Sequence, residues 1–287
     1  MDIFEPQIRE LIYTALAEDI KGGDITTGAI TASKDPFLTA EVVLKSESCV
    51  VCGLYVFKTV FDILSRGEAK IKFLAKEGGA AAKNGKILSL RARASVILSG
   101  ERTALNFLQH LSGIATAAKT AANELKGLKT KILDTRKTLP GLRLLQKYAV
   151  KTGGGNNHRF DLSSGILAKD NHIKLAGGIK KALKMIKNSN QGFNMKIEVE
   201  TSSVKEVREA LEAGADIIMF DNMDIADMKK AVGLIDGKAL TEASGNIKLN
   251  NLRKIARETG VDYISMGWLT NSVVPADFSL NITNGIH

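Results

Sequence analysis

From about Lys131 onward the chain alternates short apolar runs with helical patterns. That rhythm admits few folds, because repeated strand–helix units lay their strands parallel in one sheet. The runs that read as strands are Lys131–Asp134, Gly165–Lys169, Met195–Glu200, Asp216–Asp221, Ala239–Ala243 and Asp262–Gly267. Between them, Ser203-Val-Lys-Glu206 has the spacing of a capping box. Val204, Val207 and Leu211 make one helical face, and Gly214 is a C-terminal stop. In MKIEVE, Ile197 and Val199 share one side of the strand while Lys196, Glu198 and Glu200 share the other. In a closed barrel the aliphatic side meets surrounding helices and the polar side points inward, with Glu200 at the rim. Asp134, Lys169, Glu200, Asp221, Ser244 and Gly267 all fall at or just beyond strand ends, where an α/β barrel keeps its active site.

The first hundred residues differ. They mix helix-like starts with the strand-like stretches Ala40–Lys45, Lys70–Lys76 and Arg91–Ser99, which reads as an α+β lobe. A helix from about Glu101, with Leu105, Leu108, Leu111, Ile114 and Ala118 at helical spacing, joins the lobe to the barrel. At 287 residues the chain can bury a substantial core. No apolar run approaches the ~20 residues of a bilayer span. The N-terminal stretch carries early acids and an amphipathic rhythm rather than a secretory pattern, so the cytoplasm is the expected setting. Cys49 and Cys52 sit inside an apolar segment and cannot fill a four-ligand zinc site alone, so they read as buried small hydrophobes.

A net charge of +9 invites a nucleic-acid reading, but aromatics at 5% offer few stacking platforms and the lysines are spread over several helices. Phosphorylated small molecules use the same charge in fewer places. Its densest concentration is in Ile132-Leu-Asp-Thr-Arg-Lys-Thr-Leu-Pro140, Gly153-Gly-Gly-Asn-Asn-His-Arg159 and Lys169-Asp-Asn-His172. Arginine offers a planar fork for a carboxylate or phosphate and lysine a point charge, so the mixture suits a multiply charged anion. Glu198 reads as a barrel-interior ion-pair partner. His158 either adds charge to the pocket or orients its loop, and His110, on the long helix, reads as a packing histidine. A barrel lysine, Lys169 or Lys137, is also compatible with an aldolase Schiff base.

The words ERTALNFLQHLSGIAT, ILDTRKTLPGLRLLQKYAV, GGGNNHR and KDNHI resemble the quinolinate phosphoribosyltransferase family, and EDIKGGDITT, IEVE, IIMFDNM, TEASG and VDYISMG fit the same family in the same order. The resemblance covers nearly the whole chain. It implies an N-terminal α+β sandwich lobe (residues 1–103, with the tail 274–287 returning to it) and a TIM-like incomplete α/β barrel (residues 104–273). It further implies that quinolinate and phosphoribosyl pyrophosphate become nicotinate mononucleotide, pyrophosphate and CO2, with Mg²⁺ carried by the pyrophosphate. A related protein associated with molybdenum transport keeps the fold and changes the acceptor, and KDNH favours the quinolinate branch.

On that reading Arg102, Arg136, Lys137, His158, Arg159 and Lys169 bind quinolinate and Thr135 is a further substrate-binding residue, with Lys137, Lys169, Glu200 and Asp221 as the catalytic set. Glu200 and Asp221 stabilise positive charge on the ribose or hold its hydroxyls. Ser244-Gly245-Asn246 and Met266-Gly267-Trp268 cradle the 5′-phosphate through backbone N–H groups. The family arginine matching Arg102 reaches a neighbouring subunit's site, which implies self-association as a homodimer or a hexamer built from dimers. Asn246, Trp268 and Asn271 depart from the family's usual glycine, small residue and histidine.

Overall fold

The computed structural model describes residues 5–189 and 195–284, and residues 285–287 of the expected returning tail lie outside the described residues. In chain order the elements are α1 (Glu5–Asp19), α2 (Ile25–Thr31), β1 (Phe37–Leu44), β2 (Ser48–Val50), α3 (Leu54–Leu64), β3 (Lys70–Phe73), β4 (Ala80–Ala82), β5 (Lys86–Arg93) and α4 (Ala94–Glu124). They continue with β6 (Lys131–Leu133), α5 (Arg143–Thr152), β7 (Ile166–Ala168), α6 (Asp170–Ala176), α7 (Ile179–Ser189), β8 (Ile197–Thr201), α8 (Val204–Glu212) and β9 (Ile217–Asp221). Last come α9 (Ile225–Ile235), β10 (Leu240–Ser244), α10 (Leu249–Thr259), β11 (Tyr263–Ser265), α11 (Trp268–Asn271) and β12 (Phe278–Asn284). None of the described helices is long and apolar enough to cross a membrane.

One compact unit takes in the residues up to Ala117, Pro140–Gly153 and the stretch from Val273 onward. Its main sheet is antiparallel in the order β12-β1-β5-β3. Ala40, Val42 and Leu44 of β1 and Leu88, Leu90 and Ala92 of β5 are buried, the period-two pattern of strands with one face on a core. Gly53, the N-cap of α3, has φ +104° and no side chain to cap with. The Glu77 carboxylate substitutes for one, accepting the Gly53 and Leu54 N–H groups at 2.8 and 3.0 Å and the Tyr148 hydroxyl at 3.0 Å. Cys49 and Cys52 are buried free thiols, and burial pushes Cys49 up to about 11, so it behaves as a small hydrophobe. The His110 ring lies 2.7 Å from the Gln146 amide, a packed and partnered histidine.

Two sequence expectations for this unit need correction. Arg91–Ser99 is not one strand: β5 ends at Arg93 and α4 begins at Ala94, well before Glu101. The Asp35 carboxylate accepts both the N–H and the hydroxyl of Ser95, at 2.9 and 2.6 Å, and so satisfies the first turn of the helix where the strand was expected to run on. The unit's first segment also runs to Ala117 rather than residue 103, with Pro140–Gly153 grouped with it instead of with the barrel, and the first half of α4 packs with the C-terminal stretch. Ala276 N–H donates to the Gln109 carbonyl at 3.0 Å, and a Cβ at Gly113 would come within 2.4 Å of the Val274 carbonyl oxygen.

The second unit, Ala118–Leu139 and Gly154–Ser272, is an incomplete barrel of six parallel strands in the order β6-β11-β10-β9-β8-β7. All six runs read from the sequence are strands, shifted by a residue or two at their ends. β6 and β7 are the edges, and Asn156 bridges in parallel to Leu133 beside β6. The aliphatic side of β8 is buried as read, with Ile197 at 3% and Val199 at 0% exposure. At the start of α8 the Ser203 hydroxyl accepts the Glu206 N–H, and the Glu206 carboxylate reaches back to the Ser202 N–H and hydroxyl. Gly214, with φ +73°, follows the helix end.

Candidate active site

Parallel strands all present their C-terminal ends at one rim, and a cavity of 560 Å³ opens there. Thr135, Arg136 and Lys137 enter it just after β6, and Lys169 just after β7. Glu200 comes from β8, Asp221 from the end of β9 and Ser244 from the end of β10. His158, Arg159, Gly245 and Asn246 complete the sequence-read residues on its wall. The loops after β6 and β7 bring cations to this cavity, and the ends of β8 and β9 bring carboxylates. Lys137 and Lys169 are exposed, whereas a Schiff-base lysine needs a desolvated setting, so the geometry does not favour the aldolase reading.

Arg159 is anchored to the backbone of its own loop. Its Nη1 donates to the Gly165 carbonyl at 2.9 Å, and burial followed by the neighbouring Arg136 charge pulls its pKa down. Arg136 Nε is buried and has no hydrogen-bond partner among the described residues. On the acidic side, burial and then the charge of Asp221 raise the Glu200 pKa, which marks a carboxylate pair suited to meeting positive charge. Lys169 is the N-cap of α6. Its N–H donates to the His172 ring at 3.0 Å, so the last residue of KDNH serves as a helix cap.

Below the rim, the His158 ring meets two acids: Nε2 lies 3.1 Å from Glu198 and 3.7 Å from Glu242. His158 Nδ1 accepts the Arg159 N–H at 2.7 Å and Nε2 faces the acids, the geometry of a residue that orients its loop, and the same residue lines the rim cavity. The ligand atoms of His158, Glu198 and Glu242 lie within 4.8 Å of one another. With Nδ1 accepting, however, Nε2 carries the proton, so the set reads as an imidazole N–H facing Glu198 within hydrogen-bond distance, with Glu242 alongside, rather than as a metal site. Glu198, read from the sequence as an interior ion-pair partner, is buried as expected and faces the His158 ring. Glu242 was not assigned a role, although it sits one alternation before Ser244 inside TEASG, the signal that identified Glu198 in β8. Burial and the Glu198 charge push Glu242 up to about 8.

A second cavity of 610 Å³ is lined by Thr135, Lys137, Ser244, Gly245, Asn246 and the run Ser265 to Trp268, and it gathers the residues read as the phosphate end. Gly245 has φ +92°, and a Cβ there would lie 2.3 Å from Asn222 Oδ1. Asn246 also adopts a left-handed backbone, φ +49°, which explains why asparagine is tolerated at a position that usually holds glycine. Its Nδ2 donates to Asn222 Oδ1 at 3.0 Å. Asn271 accepts the Ser272 hydroxyl at 2.6 Å, and Trp268 Nε1 is buried without a partner among the described residues. Arg102 is exposed on α4, in the first compact unit. Asn222, Ser265 and Lys248 line these cavities without having been read from the sequence.

Residues 24–112 match the family model "Quinolinate phosphoribosyl transferase, N-terminal domain" and residues 114–281 match "Quinolinate phosphoribosyl transferase, C-terminal domain". The probable nicotinate-nucleotide pyrophosphorylase (carboxylating) of Bacillus subtilis (strain 168) is 42% identical over 278 residues, 96% of this chain and 94% of that protein. The protein of the same description from Methanocaldococcus jannaschii is 42% identical over 283 residues, 95% of this chain and 96% of its own. The solved structure of the nicotinate-nucleotide pyrophosphorylase from Francisella tularensis superposes with a TM-score of 0.90 at 39% identity, covering 97% of this chain and 96% of that one.

Proposed function

Because the chain belongs to the quinolinate phosphoribosyltransferase family, we propose that it transfers the phosphoribosyl group of phosphoribosyl pyrophosphate to the ring nitrogen of quinolinate, giving nicotinate mononucleotide, pyrophosphate and CO2. The observation that carries this reading is the polarity of one cavity, cationic beyond β6 and β7 and acidic at the ends of β8 and β9. Arg136, Lys137, Arg159 and Lys169 oppose the two ring carboxylates, and a flat dianion fixed in that way presents its nitrogen to the sugar carbon as a pre-aligned nucleophile. Glu200 and Asp221 face the ribose, where pyrophosphate departure leaves positive charge.

When the ring carbon's bond to the departing carboxylate breaks, the electron pair stays on that carbon, stabilised by the adjacent quaternised nitrogen, and the carbon then takes up a proton from solvent, so decarboxylation requires no covalent cofactor. The loops at Ser244–Asn246 and Met266–Trp268 take the 5′-phosphate. The rim's Glu200 and Asp221 are hard oxygen donors, and their mutual repulsion suits a divalent cation brought in by the substrate. Mg²⁺ would supply charge neutralisation to the departing pyrophosphate, held largely by phosphate oxygens and water. A homodimer, or a hexamer of dimers, that lends Arg102 to a neighbouring site is part of the same proposal, as is a cytoplasmic setting.

The test is acceptor selectivity. Enzyme with Mg²⁺ and phosphoribosyl pyrophosphate is given quinolinate or nicotinate, and the nucleotide is measured. Turnover is expected with quinolinate alone. Equal turnover with nicotinate would mean that the second carboxylate is not read.

A further inference from the structure

The barrel interior holds a cluster that the proposed reaction leaves unused. Glu198 on β8 and Glu242 on β10 are 5% and 1% exposed, and both face the His158 ring. Each also keeps a buried carboxylate oxygen with no hydrogen-bond partner among the described residues. Desolvated oxygens of this kind are costly, so the cluster needs a reason for being there. The ring's other nitrogen accepts the Arg159 N–H at 2.7 Å, which fixes the tautomer and aims the Nε2 proton at the acids.

The network continues through the backbone. His158 N–H donates to Asp134 Oδ1 at 2.9 Å, and Asp134 N–H donates to the Asn156 carbonyl at 3.0 Å. Asp134 is fully buried and directly precedes Thr135, Arg136 and Lys137. One set of bonds therefore ties the segment carrying Arg159 to the segment carrying Arg136, and its floor is a pair of acids on two different strands.

We propose that Glu198 and Glu242 clamp His158, and through it position the Arg159 and Arg136 guanidinium groups for the acceptor's carboxylates. Glu242 is then a positioning residue that acts through His158. The proposal rests on the reading that the rim cavity takes quinolinate. A pair of acids suits the task better than one. Glu242 faces Glu198 from β8, His158 beside β6 and Ser265 from β11, and burial next to the Glu198 charge favours its protonated form. The pair then holds the imidazole without burying two full negative charges.

Steady-state kinetics of Glu242→Ala and Glu242→Gln test it. For the alanine variant the KM for quinolinate should rise about tenfold or more, while the KM for phosphoribosyl pyrophosphate stays within about twofold. The glutamine variant, which keeps the shape of the protonated acid, should recover most of the quinolinate KM. A parallel rise in both KM values, a wild-type quinolinate KM in the alanine variant, or glutamine no better than alanine would overturn the clamp. ¹⁵N NMR of the histidine rings gives a readout independent of turnover and of whether the alanine variant folds. His158 in the unmodified protein should be the Nε2–H tautomer, and an Nδ1–H tautomer would reject the proposal. If quinolinate is not turned over at all, the functional reading fails, and the tautomer still decides whether the clamp exists.

Discussion

Lys137 can be removed with little damage to its surroundings, which makes it the most informative single side chain. Its backbone is fixed independently of the amine: the N–H donates to the Thr135 hydroxyl at 3.0 Å and the carbonyl accepts the Thr270 hydroxyl at 2.9 Å. The side chain itself is exposed at the mouth shared by both cavities. Lys137→Ala should therefore fold normally and lose quinolinate turnover by a factor of ~10²–10³, the usual cost of one contact made to developing charge. Turnover measured beside a thermal melt checks it; a stable variant with near-wild-type turnover would remove Lys137 from the catalytic set. At this scale the sequence was legible for most charged residues that follow an apolar run, Asp134 excepted, since it is fully buried and lines neither cavity. Arg136, Lys137, Lys169, Glu200 and Asp221 all line the rim cavity. Glu242 was harder to see because a lone buried acid declares itself only through its partners, and those come from β8 and the segment beside β6. The tautomer of His158 was likewise beyond reach, since it depends on the N–H of the very next residue pointing back at the ring.

The element that most constrains the phosphate end is the turn after β10. Gly245 combines a left-handed backbone with a neighbouring amide where a Cβ would go, so a substitution meets strain and a clash together. Gly245→Ala should cost more than about 1 kcal/mol of stability and displace the Asn222–Asn246 hydrogen bond. Its KM for phosphoribosyl pyrophosphate should rise more than its KM for quinolinate. An unchanged melting temperature with unchanged KM values would contradict the role given to this turn. The barrel strands were readable because each pairs buried aliphatics on one side with polar residues at its end, as β8 and β9 do. The β5–α4 junction was not, because RARASVILS is apolar and β-branched enough to pass for a strand. What stops the strand is Asp35, a residue distant in sequence that caps the helix at Ser95. The beginning of α4 thus depends on a tertiary hydrogen bond that local pattern does not contain.

On the scale of the whole molecule, the first compact unit gathers residues up to Ala117, a middle segment and the C-terminal strand β12, so its sheet is complete only when β12 has paired with β1. Arg102 belongs to this unit, whereas Lys169 belongs to the barrel. If Arg102 serves a partner's barrel, co-expressing an Arg102→Ala chain with a Lys169→Ala chain should restore activity, since a mixed dimer contains one site with both cations intact. If Arg102 serves its own chain, every site carries a lesion and no activity returns. Verified mixed dimers without rescue, from two inactive homodimers, would reject a shared site. The central claim is that one rim cavity joins ribosyl transfer to the loss of a single ring carboxylate. It is tested most directly by the stoichiometry of CO2 and pyrophosphate from quinolinate labelled in the carboxylate next to the ring nitrogen. The account predicts one labelled CO2 for each pyrophosphate and none when phosphoribosyl pyrophosphate is withheld. Labelled CO2 released without the phosphoribosyl donor, or a nucleotide product that retains the label, would contradict it.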